Sequence, residues 1–144
     1  MSLVADIADA VVAELNAHTF SPAFTAVRTY LPVYDLAEMA DLHVTVVPKG
    51  VTSQQASRDA SQFEISVDIA VQHKLSAADN AEIDPLMDLA EEIAEFLRQR
   101  RLAAFAAAAW VRTEHVAVYS PEHLEQFRQF TSVMTVVYRA MVGK

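Results

Sequence analysis

Histidines, strand carboxylates and one arginine cluster are the side chains here whose types suit chemistry. The histidines are His18, His43, His73, His115 and His123. Helical zinc sites place two ligands on one helix face, as in H-x-x-x-H or H-E-x-x-H, and no pair has that spacing. His115 and His123 have Tyr119 and Glu122 between them, so a metal site is conceivable there; surface or interface histidines are the plainer reading. Glu64, Asp68 and Glu114 fall on segments that read as strands. A carboxylate pair serves acid–base chemistry only when environment separates the two pKa values. On a sheet with one wet face, Glu64 and Asp68 are expected as solvated or intersubunit groups. No G-x-S-x-G nucleophile elbow occurs. The acidic face Asp88, Glu91, Glu92 and Glu95 reads as a solvated helix surface, and Arg98, Arg100 and Arg101 as a helix C-terminal device.

Composition narrows the classes further. The chain has no cysteine, which removes thiolate nucleophiles, disulfides and cysteine-ligated zinc. Glycine occurs only at Gly50 and Gly143, so neither a P-loop nor a G-x-G-x-x-G turn can form. The net charge of -8 repels nucleic acid and anionic membranes in bulk. No run approaches the ~20 apolar residues that span a bilayer, and the first sixteen residues lack the basic start of a secretory signal. No catalytic, cofactor or metal residues are therefore assigned. The 144 residues, 53% of them hydrophobic, supply one core, so residues 1–144 read as one domain.

Several elements must position these groups. Residues 2–16 carry Leu3, Ile7, Val11 and Leu15 at helical spacing, widened by Val4 and Val12, with Ser2 as N-cap. Residues 25–33 suggest a first strand, 35–39 one helical turn, and 41–47 a second strand. The stretch from Pro48 to Gln62 is polar, follows neither period and is longer than ordinary hairpin loops, so it reads as a functional or mobile loop. Residues 63–73 alternate throughout: Phe63, Ile65, Val67, Ile69 and Val71 face one way. Residues 84–101 suggest a helix with Asp84 as N-cap and Pro85 in its first position. Residues 103–109 are compatible with helix or turn. A strand at 109–118, a short helix from Ser120 to Gln126 and a strand at 129–142 complete the order α-β-β-β-α-β-short α-β. The expected fold is α+β: a two-layer sandwich in which a mainly antiparallel sheet of about four to five strands carries two main helices on one face.

The last strand has apolar residues on both faces. Phe130, Met134, Val136 and Tyr138 share one; Val133, Val137 and Met141 share the other. On a sheet covered on one side the second set is exposed, which points to oligomerisation. If the strand is central and covered, that argument lapses. The expected interface residues are Lys49, Arg58, Glu64, Asp68, Val133, Thr135, Val137 and Arg139.

Leu42-His-Val-Thr-Val-Val-Pro-Lys-Gly50 and Phe63-Glu-Ile-Ser-Val-Asp-Ile-Ala-Val71 resemble small virion proteins of tailed phages and prophages. So do Ile83-Asp-Pro-Leu-Met-Asp-Leu-Ala-Glu-Glu-Ile-Ala-Glu-Phe-Leu97 and Phe130-Thr-Ser-Val-Met-Thr-Val-Val-Tyr-Arg139. In pattern, length and element order nearly the whole chain resembles the tail terminator (tail completion) family. The resemblance implies a homo-oligomeric ring, commonly a hexamer, that caps the tail tube, halts its polymerisation and joins it to head–neck proteins. DNA passes through the lumen without specific binding. It also implies a place in the virion tail, reached from the host cytoplasm, with no membrane partner and no chemistry. A head–tail connector or neck protein is the related alternative. A small enzyme or ligand-binding domain, with Glu114, His115, Tyr119 and His123 around a cavity, is the unrelated one.

Overall fold

A computed structural model describes residues 2–30, 42–77, 79–122, 125 and 128–143. The elements run α1 (Leu3–Asn16), β1 (Ala26–Arg28), β2 (His43–Gln55), β3 (Ala60–Lys74), α2 (Asn80–Leu97), a 3-10 turn (Ala103–Phe105), β4 (Ala109–Ala117) and β5 (Gln129–Gly143). The five strands form one sheet in the order β1-β2-β3-β5-β4. β1 lies parallel to β2, and the other neighbours are antiparallel. This is the expected α+β sandwich. Both helices pack on the face that carries Ile65, Val67, Ile69 and Val71 of β3 and Phe130, Met134, Val136 and Tyr138 of β5. Each of these large side chains is withdrawn from water, which stabilises the fold by about 1.5–3 kcal/mol apiece.

Local chemistry sets the helix ends. Ser2 Oγ accepts from the Ala5 amide at 3.3 Å, and Ile7, Val11 and Leu15 then point into the core. α2 begins earlier than the Asp84–Pro85 signal suggests. Its cap is Asp79, whose carboxylate accepts from the Glu82 amide at 3.0 Å. Glu82 in turn accepts from the Ser76 and Ala77 amides at 2.9 and 2.8 Å. This reciprocal arrangement, a variant of the capping box, carries the helix past Pro85 although the ring removes one backbone donor. α2 also ends at Leu97 rather than 101. Gln99 turns left-handed (φ 57°), so the arginines lie beyond the helix instead of in its last turn. Arg100 Nε donates to Glu14 Oε2 at 2.7 Å, and its guanidinium stacks on Phe96. The Ala103 amide donates to Glu14 Oε1 at 2.7 Å, so one carboxylate ties α1 to the segment after α2.

The segment at 103–109 resolves as the 3-10 turn, three connecting residues at 106–108 and the first residue of β4. The first strand spans only Ala26–Arg28 of the predicted 25–33. The rest of that prediction past Tyr30, the helical turn at 35–39 and residues 123, 124 and 126 of the short helix lie outside the described residues, while Pro121, Glu122 and Glu125 are helical as expected.

The largest difference concerns residues 48–62. They are not a loop. β2 and β3 continue as a paired hairpin from Pro48↔Val67 and Gly50↔Ser66 out to Gln55↔Ser61, with a bulge between Pro48 and Gly50. The tip closes through the Ala56 and Ser57 amides donating to the Ala60 carbonyl. Strand pairing needs no hydrophobic alternation when both faces are wet, so this arm carries no sequence period to detect.

Candidate assembly surface

The sheet face opposite the helices collects most of the predicted interface residues. Cross-strand registers place Asp68 beside Thr135, Glu64 beside Arg139, Ser66 beside Val137, and Ala70 beside Val133. Lys49 lies on the adjoining strand. Thr135 Oγ1 donates to Asp68 Oδ1 at 2.6 Å and accepts from Lys49 Nζ at 3.2 Å, with Lys49 Nζ 3.5 Å from Asp68 Oδ1. Glu64 bridges two arginines, Arg112 and Arg139, each at 3.6 Å. Arg112 Nε also donates to Glu114 Oε1 at 2.9 Å. That bond, opposed by desolvation and aided by the Glu114 and Glu64 charges, raises the Arg112 pKa above its ordinary value. Lys49, Arg112 and Arg139 thus balance Glu64, Asp68 and Glu114, leaving a self-neutralised patch on an acidic chain. Exposed pairs of this kind stabilise only weakly. Arg58 stands apart at the arm's tip. Arg112 and Glu114 were missed as members of the group, because only the β4–β5 pairing brings them there.

The same geometry corrects the reading of β5. Val137 is 2% exposed and Val133 half-buried; of the expected apolar set only Met141, at 51%, is open. β5 is an interior strand between β3 and β4. Val137 sits between Ser66 and Arg112 in the pairing, on the face where Glu64, Arg112 and Arg139 form ion pairs. Among the described residues of β5, Met141 alone of the expected set is open, and one exposed side chain does not argue for oligomerisation. Thr45 Oγ1 and Gln72 Oε1 are buried without a hydrogen-bond partner among the described residues.

The sheet's two outer edges differ. β1 covers β2 only across Val44–Val46, with the Thr29 amide adding a bond to Val46 O. Beyond that point the outer edge of β2 has no backbone partner among the described residues. Val51–Gln55 are all exposed and carry no charge. β4 forms the opposite edge. Irregularities at Trp110/Arg112 and His115/Ala117 leave Arg112–His115 as its regular stretch. Val116, Val118 and Tyr119 near its end are exposed. Beside β4, a cleft of about 440 Å³ opens toward α2, lined by Glu91, Ala94, Glu95, Trp110 and His115 among others.

Among the described residues the other chemical candidates do not converge. Glu114 pairs with Arg112 on the charged face, whereas His115 lines clefts against α2. Tyr119 borders a different cleft, with Asn80, Ile83, Asp84 and Met87. His123 lies outside the described residues. His18 stacks on Phe96 at 4.4 Å. Among the described residues no three His, Asp or Glu side chains group as metal ligands, and no helix is long and apolar enough to cross a membrane.

No protein-family model matches the chain, and no curated protein matches it in sequence. Solved structures do match in fold. A chain of the virion of a native gene transfer agent particle superposes with a TM-score of 0.63 at 19% identity, covering 100% of both chains. A chain from a sheath/tube terminator of an extracellular contractile injection system, in its extended state, gives 0.53 at 16% identity. There the match covers 100% of this chain and 58% of the other.

Proposed function

We propose that this chain is a structural subunit of a phage-like tail, a terminator that forms a ring on the tail tube, stops its growth and offers a surface to head–neck proteins. The observation that carries this reading is the end-to-end fold match to a chain of a gene transfer agent virion, with neither chain left over. The likeness to a sheath/tube terminator supports the terminator role in particular. The chain acts by assembly and performs no chemistry. Its acidic balance suits a lumen through which DNA passes, because like charge keeps the polyanion sliding.

The test is to add the purified chain to polymerising tube protein and measure tube lengths by electron microscopy. A terminator shortens the tubes and appears as a cap at one end. Unchanged lengths and bare ends contradict the reading. Binding only to portal or neck proteins, with tube length unaffected, favours the connector alternative.

A further inference from the structure

We infer that the ring is joined edge to edge: the outer edge of the β2 arm in one copy pairs with the outer edge of β4 in the next, so that the sheet continues from subunit to subunit. This rests on the ring reading above and names the surface that would make it.

The two edges lie at opposite ends of one sheet. A contact between unlike patches is head-to-tail, and repeated head-to-tail contacts close into a ring when the rotation permits. Polarity is compatible. β2 and β5 run one way and β3 and β4 the other, so a β2 arm laid beside β4 is antiparallel. Proteins usually blunt an edge with charge, proline or a bulge. On β2 those devices, Pro48, Lys49 and the bulge, all sit at the arm's base. Val51–Gln55 beyond them is a bare row of uncharged, exposed residues. On β4 the two irregularities frame Arg112–His115, a regular stretch of similar length. Irregularities flanking a regular run limit the registers a partner can take.

Side chains match as well. With the two sheets continuous, Thr52 and Gln54 lie on the face of Arg112 and Glu114, and Val51, Ser53 and Gln55 on that of Thr113 and His115. Hydroxyls and amides both donate and accept, so they satisfy a cation and a carboxylate alike. No like charges meet. The arm's tip brings Arg58 and Asp59, and with Lys49 at its base the arm carries two cations and one anion on a chain of net charge -8. The neighbouring α2 surface presents Glu91 and Glu95 at the cleft beside β4. An arm seated on β4 sets its half-exposed Val51 near that cleft and the partly buried Trp110 that lines it.

The chain has no cysteine, so introduced pairs report cleanly. The double variant Gln54→Cys/Glu114→Cys is oxidised at high concentration and again on tail tubes, then run on a denaturing gel. The expected result is a ladder that ends at the ring, while each single variant stops at dimers or below. Ser53→Lys, at an exposed position, is expected to reduce the assembly to monomer in light scattering, with the melting temperature of the dilute monomer unchanged. An assembly that forms without the double-variant ladder, or that survives Ser53→Lys, overturns the edge joint and leaves the ring reading standing. Efficient dimers from Ser53→Cys alone point to β2 pairing with β2 and also overturn it. A wild-type chain that stays monomeric under both conditions overturns the ring reading itself, and the joint with it.

Discussion

The root and the arm of the β2–β3 hairpin are one continuous ladder held by different physics. At the root, Val44, Val46, Ile69 and Val71 are buried, and α1 packs across them with β1 alongside. In the arm, Val51–Gln55 are exposed on both faces, and only backbone pairing to β3 and the β3–β5 ladder keep them extended. The root explains itself within one chain. The arm is less self-sufficient: β5 backs β3 out to Ala60↔Gly143, but Val51–Gln55 on the outer strand bury no face, and strands are stable alone only with one. The difference is what the proposed edge joint accounts for: on that reading, the arm's order is completed by a neighbouring copy.

Substitutions graded along the hairpin and its clamp test that contrast. Ile69→Ala empties a site of 0% exposure at the root and is expected to lower unfolding free energy by about 2–5 kcal/mol in denaturant titrations. A loss no larger than that of an arm residue erases the distinction. Glu14 comes next, since it locks α1 over the root. Burial pushes its pKa up, but the Arg100 hydrogen bond, the Ala103 amide and the Arg100 charge outweigh burial and hold it below the ordinary 4.5. Its folded pKa is therefore depressed. The stability it supplies is present in full above pH 4.5 and is lost as pH falls below that value toward the folded pKa. Glu14→Gln should cost about 1–3 kcal/mol at neutral pH and flatten the acid limb of a stability-versus-pH curve. An unaltered acid limb contradicts the assignment. Asp68 sits where root gives way to arm, partly exposed beside Lys49 and Thr135. Asp68→Ala should cost about 0.5–1.5 kcal/mol, with the loss shrinking in high salt. Ser53→Ala in the arm should change stability by less than about 0.5 kcal/mol.

The sequence made the root legible and the arm invisible for the same reason. Phe63 to Val71 alternate because one face is buried, and that contrast marks β3 without ambiguity. From Val51 to Gln62 both faces are wet, so no period exists to find, although the backbone pairs throughout. The start of α2 was misplaced because Pro85 is a strong local signal, whereas the Asp79–Glu82 cap depends on Glu82 folding back to Ser76 and Ala77. Val133 and Val137 were misread because their exposure depends on which strand lies in the sheet's interior, and that is a property of topology. Glu64, Asp68, Thr135 and Arg139 stood out as polar groups on strands, and Lys49 as a cation in the polar stretch 48–62. That Arg112 and Glu114 complete their charge balance emerges only when β4 pairs with β5.

The central claim is that the arm is ordered for a partner, and amide hydrogen exchange tests it most directly. In the isolated chain, the outward-facing amides of Val51–Gln55 should exchange rapidly while Ile65–Val71 stay protected. In assembled rings or on tail tubes, the same arm amides should slow by an order of magnitude or more, with β3 unchanged. Arm amides that are already protected in the monomer, or that exchange equally fast after assembly, would contradict the account.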